Sequence, residues 1–258
     1  MLENIIRQKR ENNDILLMTH IVLGYPSFDD SLRIVEAMVE AGVDLMELQI
    51  PFSEPIADGP VILRANQEAL LRGSTVQQCF ETAQAITSRF DIPFLFMSYY
   101  NLLYKRGLQR FTADMAEAGL SGAIVPDLPP EESGDYLDAM NRHNLAPVFI
   151  FAPNSSDKRL RTIAQHSGGL VYCVARKGVT GSDTNFSEDL DGYLKRCRAA
   201  TNLPLAVGFG VKDAKDVDYL RGRADIAVIG SETIRVIDRD GTAGVGPFIR
   251  SLRGTVSA

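Results

Sequence analysis

The chain has 258 residues, 45% of them hydrophobic and 23% charged, with a net charge of −6. That balance belongs to a globular protein and excludes a disordered one, and without a run of Lys or Arg it argues against a nucleic-acid partner. No apolar stretch approaches membrane-spanning length, and Met1 to Asn13 is a short amphipathic segment (Leu2, Ile5, Ile6) lacking the apolar core of a signal peptide, so a cytoplasmic location is expected. Cys79, Cys173 and Cys197 are odd in number and widely spaced, and His20, His143 and His166 are equally scattered. Reduced cysteines and no metal site are the expectation.

In chain order, an N-terminal helix leads to a first apolar strand, Ile15 to Gly24. Phe28 to Ala41 has helical spacing and stops at Gly42. The second strand, about Asp44 to Ile50, carries an acid, Glu47, and ends at Pro51. Asp58-Gly59-Pro60 opens the next helical stretch, with Asp58 in a position to cap it; that stretch runs to about Arg89 and breaks at Gly73-Ser74. Strands follow at Pro93 to Tyr100, Gly122 to Asp127, Ala146 to Ala152, Gly169 to Ala175, Pro204 to Gly210 and Asp225 to Gly230. Between them lie helices at Gly107 to Ala118, Pro130 to Asn144, Ser156 to His166, Glu188 to Ala200 and Asp213 to Arg221. A longer polar loop spans Arg176 to about Ser187, and short helices from Ser231 and Val245 end the chain.

Eight apolar strands alternating with helices, with no linker, predict a single α/β domain over residues 1–258. The expected architecture is a (β/α)8 TIM barrel with an extra N-terminal helix. A doubly wound open sheet is the alternative, weakened because no glycine fingerprint follows the first strand.

In such barrels the chemistry sits at the C-terminal strand ends. Alternation puts Leu45, Glu47 and Gln49 on one face and Met46, Leu48 and Ile50 on the other; the apolar set suits the covering helices, which turns Glu47 into the mouth. Asp58 lies in the following loop, and Asp127 ends the fourth strand; as bland alternatives, the first is a helix cap and the second a turn residue. Gly178 to Gly181, Gly208 to Gly210 and Gly230-Ser231 offer backbone N–H groups on one rim, the pattern for a phosphate-bearing ligand. Tyr99, Tyr172 and Phe209 also lie at strand ends; they are either core or the walls of a flat apolar slot.

With these residues in place, the sequence resembles the alpha subunit of tryptophan synthase over nearly its whole length. The sharpest agreement is Glu47-Leu48-Gln49-Ile50-Pro51-Phe52-Ser53-Glu54-Pro55-Ile56-Ala57-Asp58-Gly59-Pro60. Tyr99-Tyr100-Asn101-Leu102, Asp127-Leu128-Pro129, Arg176 to Gly181, Gly208-Phe209-Gly210 and Gly230-Ser231 follow in order. The resemblance implies a lyase of tryptophan biosynthesis, cleaving indole-3-glycerol phosphate by a retro-aldol step to indole and glyceraldehyde 3-phosphate. It implies Glu47 and Asp58 as catalytic groups and Tyr99, Tyr172 and Phe209 as the indole slot. Asp127 is expected among the substrate-binding residues, Gly181, Gly210, Gly230 and Ser231 in the phosphate cradle, and Thr180 in a mobile lid. It further implies no cofactor in this chain and a beta subunit, carrying pyridoxal phosphate, as partner in an α2β2 heterotetramer.

Five positions depart from the family's usual pattern. Gln49 stands for glycine, Glu54 for aspartate, Lys177 for serine, Tyr25 for an acid and His20 for an aromatic residue. Three other readings stay open at this level. One is a free-standing lyase for the same substrate, another a Schiff-base aldolase using Lys177, and the third a non-catalytic activator of a partner.

Overall fold

The structure, a computed structural model, describes residues 2–175, 183–208 and 210–253, with the backbone alone for 183–188. Strands β1 (Leu16–Val22), β2 (Leu45–Gln49), β3 (Phe94–Met97), β4 (Gly122–Ile124), β5 (Ala146–Val148), β6 (Ile150–Phe151), β7 (Val171–Val174), β8 (Leu205–Gly208) and β9 (Ile226–Ile229) form one parallel sheet. Its order is β5-β4-β3-β2-β1-β9-β8-β7-β6. The two ends of that order are adjacent in sequence. Residues 146–148 pair with β4, Phe149 accepts the Tyr172 N–H through its carbonyl at 3.0 Å, and β6 pairs with β7. β5 and β6 are therefore two halves of one stave, each bonded to a different neighbour, and the sheet closes as the predicted barrel.

Alternation along the strands separates two cores. Outward residues such as Met46, Leu48, Phe94, Phe96, Val207 and Ile229 join the helices in the larger cluster. Inward residues Leu16, Met18, Leu45, Leu95, Met97, Ile124, Val148, Ala206, Ile226 and Val228 fill the barrel. Helix α1 (Leu2–Glu11) closes one end of the inner core, adding Leu2 and Ile6 to it. Gly169, at φ +76°, permits this approach, because a Cβ there would stand 2.7 Å from the Leu2 side chain.

The outer helices are α2 (Phe28–Glu40), α3 (Pro60–Leu71), α4 (Val76–Thr87), α5 (Tyr100–Arg106), α6 (Leu108–Glu117), α7 (Gly134–Arg142), α8 (Asp157–His166), α9 (Asp183–Ala200), α10 (Ala214–Leu220), α11 (Ser231–Asp240) and α12 (Val245–Leu252). Their starts follow local chemistry. Ser27, Thr75, Ser156 and Asp213 cap helices with their side chains, and Thr75 with Gln78 completes a capping box. No described helix is long and apolar enough to cross a membrane.

Four expectations need correction. Asp58 is not a helix cap: Gly59 holds that position without a side-chain bond, and Asp58 turns toward the barrel instead. The helix expected over Pro130 to Asn144 is a 3-10 turn, Pro130–Glu132, followed by α7, with buried Ser133 bonding the Pro130 carbonyl between them. The third strand stops at Met97, and Tyr100 begins the unforeseen α5, a helix too short to display a period. Helix α9 begins at Asp183, five residues before the expected Glu188, because the polar residues there carry no apolar spacing.

Candidate active site

The register of β1 and β2 sets His20 opposite Glu47 and Val22 opposite Gln49. His20 and Glu47 both point into the barrel, where they are 4% and 2% exposed. A carboxylate so buried is costly unless paired, and the His20 imidazole Nδ1 lies 3.1 Å from Glu47 Oε2. Burial alone pushes the His20 pKa down. The hydrogen bond and charge of Glu47, the charge of Asp58 and the Gln49 side chain outweigh it, and the net shift is upward. Among the described residues Glu47 Oε1, His20 Nε2 and Gln49 Oε1 are buried without a hydrogen-bond partner. Three orphaned polar atoms in one place mark space that a ligand or solvent must satisfy.

Asp58 approaches from the loop after β2, and the Gln49 Nε2–H donates to its Oδ2 at 2.6 Å. Burial raises the Asp58 pKa above its ordinary value, against the opposing pull of His20, Gln49 and Tyr99. The loop itself is pinned at two points. Asn66 of α3 accepts the Phe52 N–H at 2.9 Å, and the Tyr99 hydroxyl accepts the Ala57 N–H at 3.1 Å. Phe52 also stacks on Tyr99, with ring centroids 5.1 Å apart. Burial and the nearby Asp58 charge hold the Tyr99 hydroxyl well above the usual phenol range, so it stays a neutral donor.

Tyr172 of β7 reaches the same space, where burial and the charges of Glu47 and Asp58 keep its hydroxyl protonated. Gly208 makes room for it: a Cβ there would lie 3.0 Å from the Tyr172 oxygen. Asp127 is exposed and accepts the Tyr100 N–H at 2.9 Å, which fixes the first turn of α5. At Gly210, with φ +90°, a Cβ would meet no atom of the described residues within 4 Å. Gly230 is the N-cap of α11 and offers no side-chain bond to the helix start, which leaves Ser231 and its neighbours at an uncapped N-terminus. Thr180, Gly181, Phe209 and Lys177 lie outside the described residues.

Glu47, Asp58, Tyr99 and Tyr172 thus meet at one mouth, with Gly210, Gly230 and Ser231 on the loops after β8 and β9. Sequence reasoning gave no part to Phe52 or Asn66; it placed Gln49 on the mouth face beside Glu47 without a partner, and noted His20 only as a departure. The signal for His20 lay in two adjacent strands of like alternation, but their register is a tertiary fact. Among the described residues no group of three or more His, Cys, Asp or Glu could hold a metal ion. A cleft of about 640 Å³ beside α1, lined by Ile5, Lys9, Phe90 and Pro93 among others, is at the opposite end of the barrel and holds none of these groups.

The family model described as tryptophan synthase alpha chain matches residues 6–245. The chain belongs to that family. It is 61% identical to the tryptophan synthase alpha chain of Syntrophotalea carbinolica, over 98% of this chain and 100% of that one. Among solved structures it is similar to Mycobacterium tuberculosis tryptophan synthase, with a TM-score of 0.90 at 30% identity, covering 98% of this chain and 96% of that one. A chain of the tryptophan synthase complex from Pyrococcus furiosus gives a TM-score of 0.85 at 28% identity, covering 93% and 98%. Membership in the tryptophan synthase alpha family makes the chain a lyase acting on indole-3-glycerol phosphate. It favours neither a Schiff-base aldolase nor a non-catalytic activator.

Proposed function

We propose that Glu47 and Asp58 carry the tryptophan synthase alpha reaction in this chain, Glu47 as the proton carrier and Asp58 as the partner of the indole nitrogen. The observation that supports this reading most is Glu47 itself. It is a carboxyl buried in the barrel mouth, one oxygen beside His20 and the other, Oε1, without a partner.

The chemistry requires such a group. The bond to be cleaved joins indole C3 to the glycerol phosphate, and the ring leaves well only after C3 is protonated. Glu47 as an acid delivers that proton from Oε1; as a carboxylate it then takes the proton of the glycerol hydroxyl while the carbon–carbon bond breaks. The proton count closes, with indole and glyceraldehyde 3-phosphate as products. Positive charge appears on the ring nitrogen meanwhile, and the Asp58 carboxylate stabilises it and accepts the N–H. These steps are proton transfers and ask for no cofactor in this chain. Tyr99, Tyr172 and Phe209 flank the ring. Gly181, Gly210, Gly230 and Ser231 hold the phosphate, for which the uncapped start of α11 supplies N–H donors and a favourable dipole. Asp127 acts on the site through the Tyr100 turn, and Thr180 belongs to the lid that excludes water.

The partner is a beta subunit carrying pyridoxal phosphate, in an α2β2 assembly in the cytoplasm. The Pyrococcus furiosus complex supports this, as does Ile56, an apolar side chain left 80% exposed two residues before Asp58. The test is release of indole from indole-3-glycerol phosphate by the purified chain, alone and with a tryptophan synthase beta subunit. Slow release that rises with the partner is expected. Rapid release that ignores the partner would identify a free-standing lyase instead.

A further inference from the structure

We propose that His20 and Gln49 are positioning residues, one for each carboxylate: His20 shares the proton of Glu47 and orients it, and Gln49 holds Asp58 in its working direction. The inference rests on Glu47 and Asp58 being the catalytic pair. Its basis is two contacts, one between adjacent strands and one from a strand to the loop that follows it. His20 Nδ1 lies 3.1 Å from Glu47 Oε2, and Gln49 Nε2 lies 2.6 Å from Asp58 Oδ2. Each contact occupies one oxygen of its carboxylate. In Glu47 this leaves Oε1, which has no partner among the described residues, to meet the substrate.

The anchoring is rigid. His20 and Gln49 are 4% and 0% exposed, on adjacent strands in fixed register. From α11, the Thr233 hydroxyl donates to the His20 carbonyl oxygen at 3.1 Å, so the strand carrying the imidazole is tied to the helix behind it. The charged or titratable groups facing His20 are Glu47 on β2 and Asp58 in the following loop, while Tyr172 on β7 and Tyr99, at the start of α5, face those carboxylates with neutral hydroxyls.

The consequence for proton transfer follows from counting states. With the Nδ1–H donating to Oε2 throughout, the one further proton of the Glu47–His20 pair has two places to reside, either on the carboxyl at Oε1 or on the imidazole at Nε2. A pair with two such states keeps its proton to a higher pH than a carboxyl alone with a neutral neighbour. Beside the Glu47 carboxylate the His20 imidazole holds its proton to a higher pH than a histidine with no such neighbour. Gln49 acts on the other limb. Its N–H favours the charged form of Asp58, which burial opposes.

Three variants in the complete complex with the beta subunit test this, each checked for parental thermal unfolding: His20→Asn, His20→Leu and Gln49→Leu. Asparagine places an N–H near the position of Nδ1 but cannot take up the proton. His20→Leu should lower kcat ten- to hundredfold, on the order expected for a displaced catalytic group, with KM little changed. His20→Asn should recover part of that loss while its alkaline limb in kcat/KM stays at lower pH than the parent's. Gln49→Leu should move the acid limb to higher pH, since Asp58 loses a donor to its charged form.

Profiles that superimpose on the parent's in all three would overturn the proposal, provided Glu47→Gln is inactive. An active Glu47→Gln would instead sink the underlying assignment. Should the variants not fold, the imidazole NMR titration of His20 decides the matter in the parent and in Glu47→Gln. A midpoint above the ordinary histidine value that falls on removing the carboxylate supports the pair, and an unmoved midpoint overturns it.

Discussion

Asp58 shows at the scale of one residue how function and stability oppose each other. Burial raises its pKa, so the folded state disfavours the charge that catalysis uses. The sign follows directly: between the unfolded and the raised folded value stability falls as pH rises, and above both it stays at the lower level. Asp58→Asn removes that penalty and keeps an oxygen to accept the Gln49 N–H. It should lose most of the cleavage activity yet melt at the same temperature as the parent or higher, which calorimetry at neutral pH checks. The same shift sets the acid limb of the parent enzyme. Activity in kcat/KM should fall on acidification at a pH above the ordinary carboxylate range, because Asp58 protonates early. A limb at or below that range would contradict the burial argument.

At the scale of elements, β2 and the loop after it organise the site, and much of this was legible in the sequence. Period-two alternation put Met46, Leu48 and Ile50 against the helices and Glu47 and Gln49 inside, as found. What alternation could not supply was register. That His20 meets Glu47, and that Gln49 meets Asp58, depends on how strands and loop align in space. The Asp-Gly-Pro setting left a helix cap open as the alternative for Asp58; its carboxylate instead accepts the N–H of the buried Gln49 amide. Tyr99 was read as a wall of the slot; it is also a fastener, bonding Ala57 and stacking on Phe52. Thr180 of the expected lid, Gly181 of the phosphate cradle and Phe209 of the indole slot lie outside the described residues, and their parts remain those the family implies. Elements away from the site follow simpler physics. Thr75→Ala, which breaks the capping box of α4, should cost about 1 kcal/mol and lower the melting temperature by about 2–4 °C without altering turnover.

At the scale of the molecule, the barrel separates stability from chemistry. One end is sealed by α1, where Ile6 is 1% exposed within the inner core. Ile6→Ala should destabilise by about 2–5 kcal/mol and leave the pH profile of cleavage unchanged, a combination that thermal melts and kinetics can read separately. The other end carries the carboxylates and the tyrosines, with Ile56 exposed in the loop after β2. Ile56→Glu should weaken the rise in indole release produced by the beta subunit, which titrating the partner against a fixed amount of chain would reveal.

The central claim is that Glu47 carries the proton that breaks the carbon–carbon bond, and Glu47→Gln tests it most directly. Glutamine fills the same space and can still meet His20, but it can neither donate nor accept the transferred proton. Indole release by this variant in complex with the beta subunit should fall by about 10²–10⁴-fold, the range for losing a general acid–base, while its melting curve stays cooperative. A folded Glu47→Gln chain that releases indole at nearly the parental rate would contradict the account.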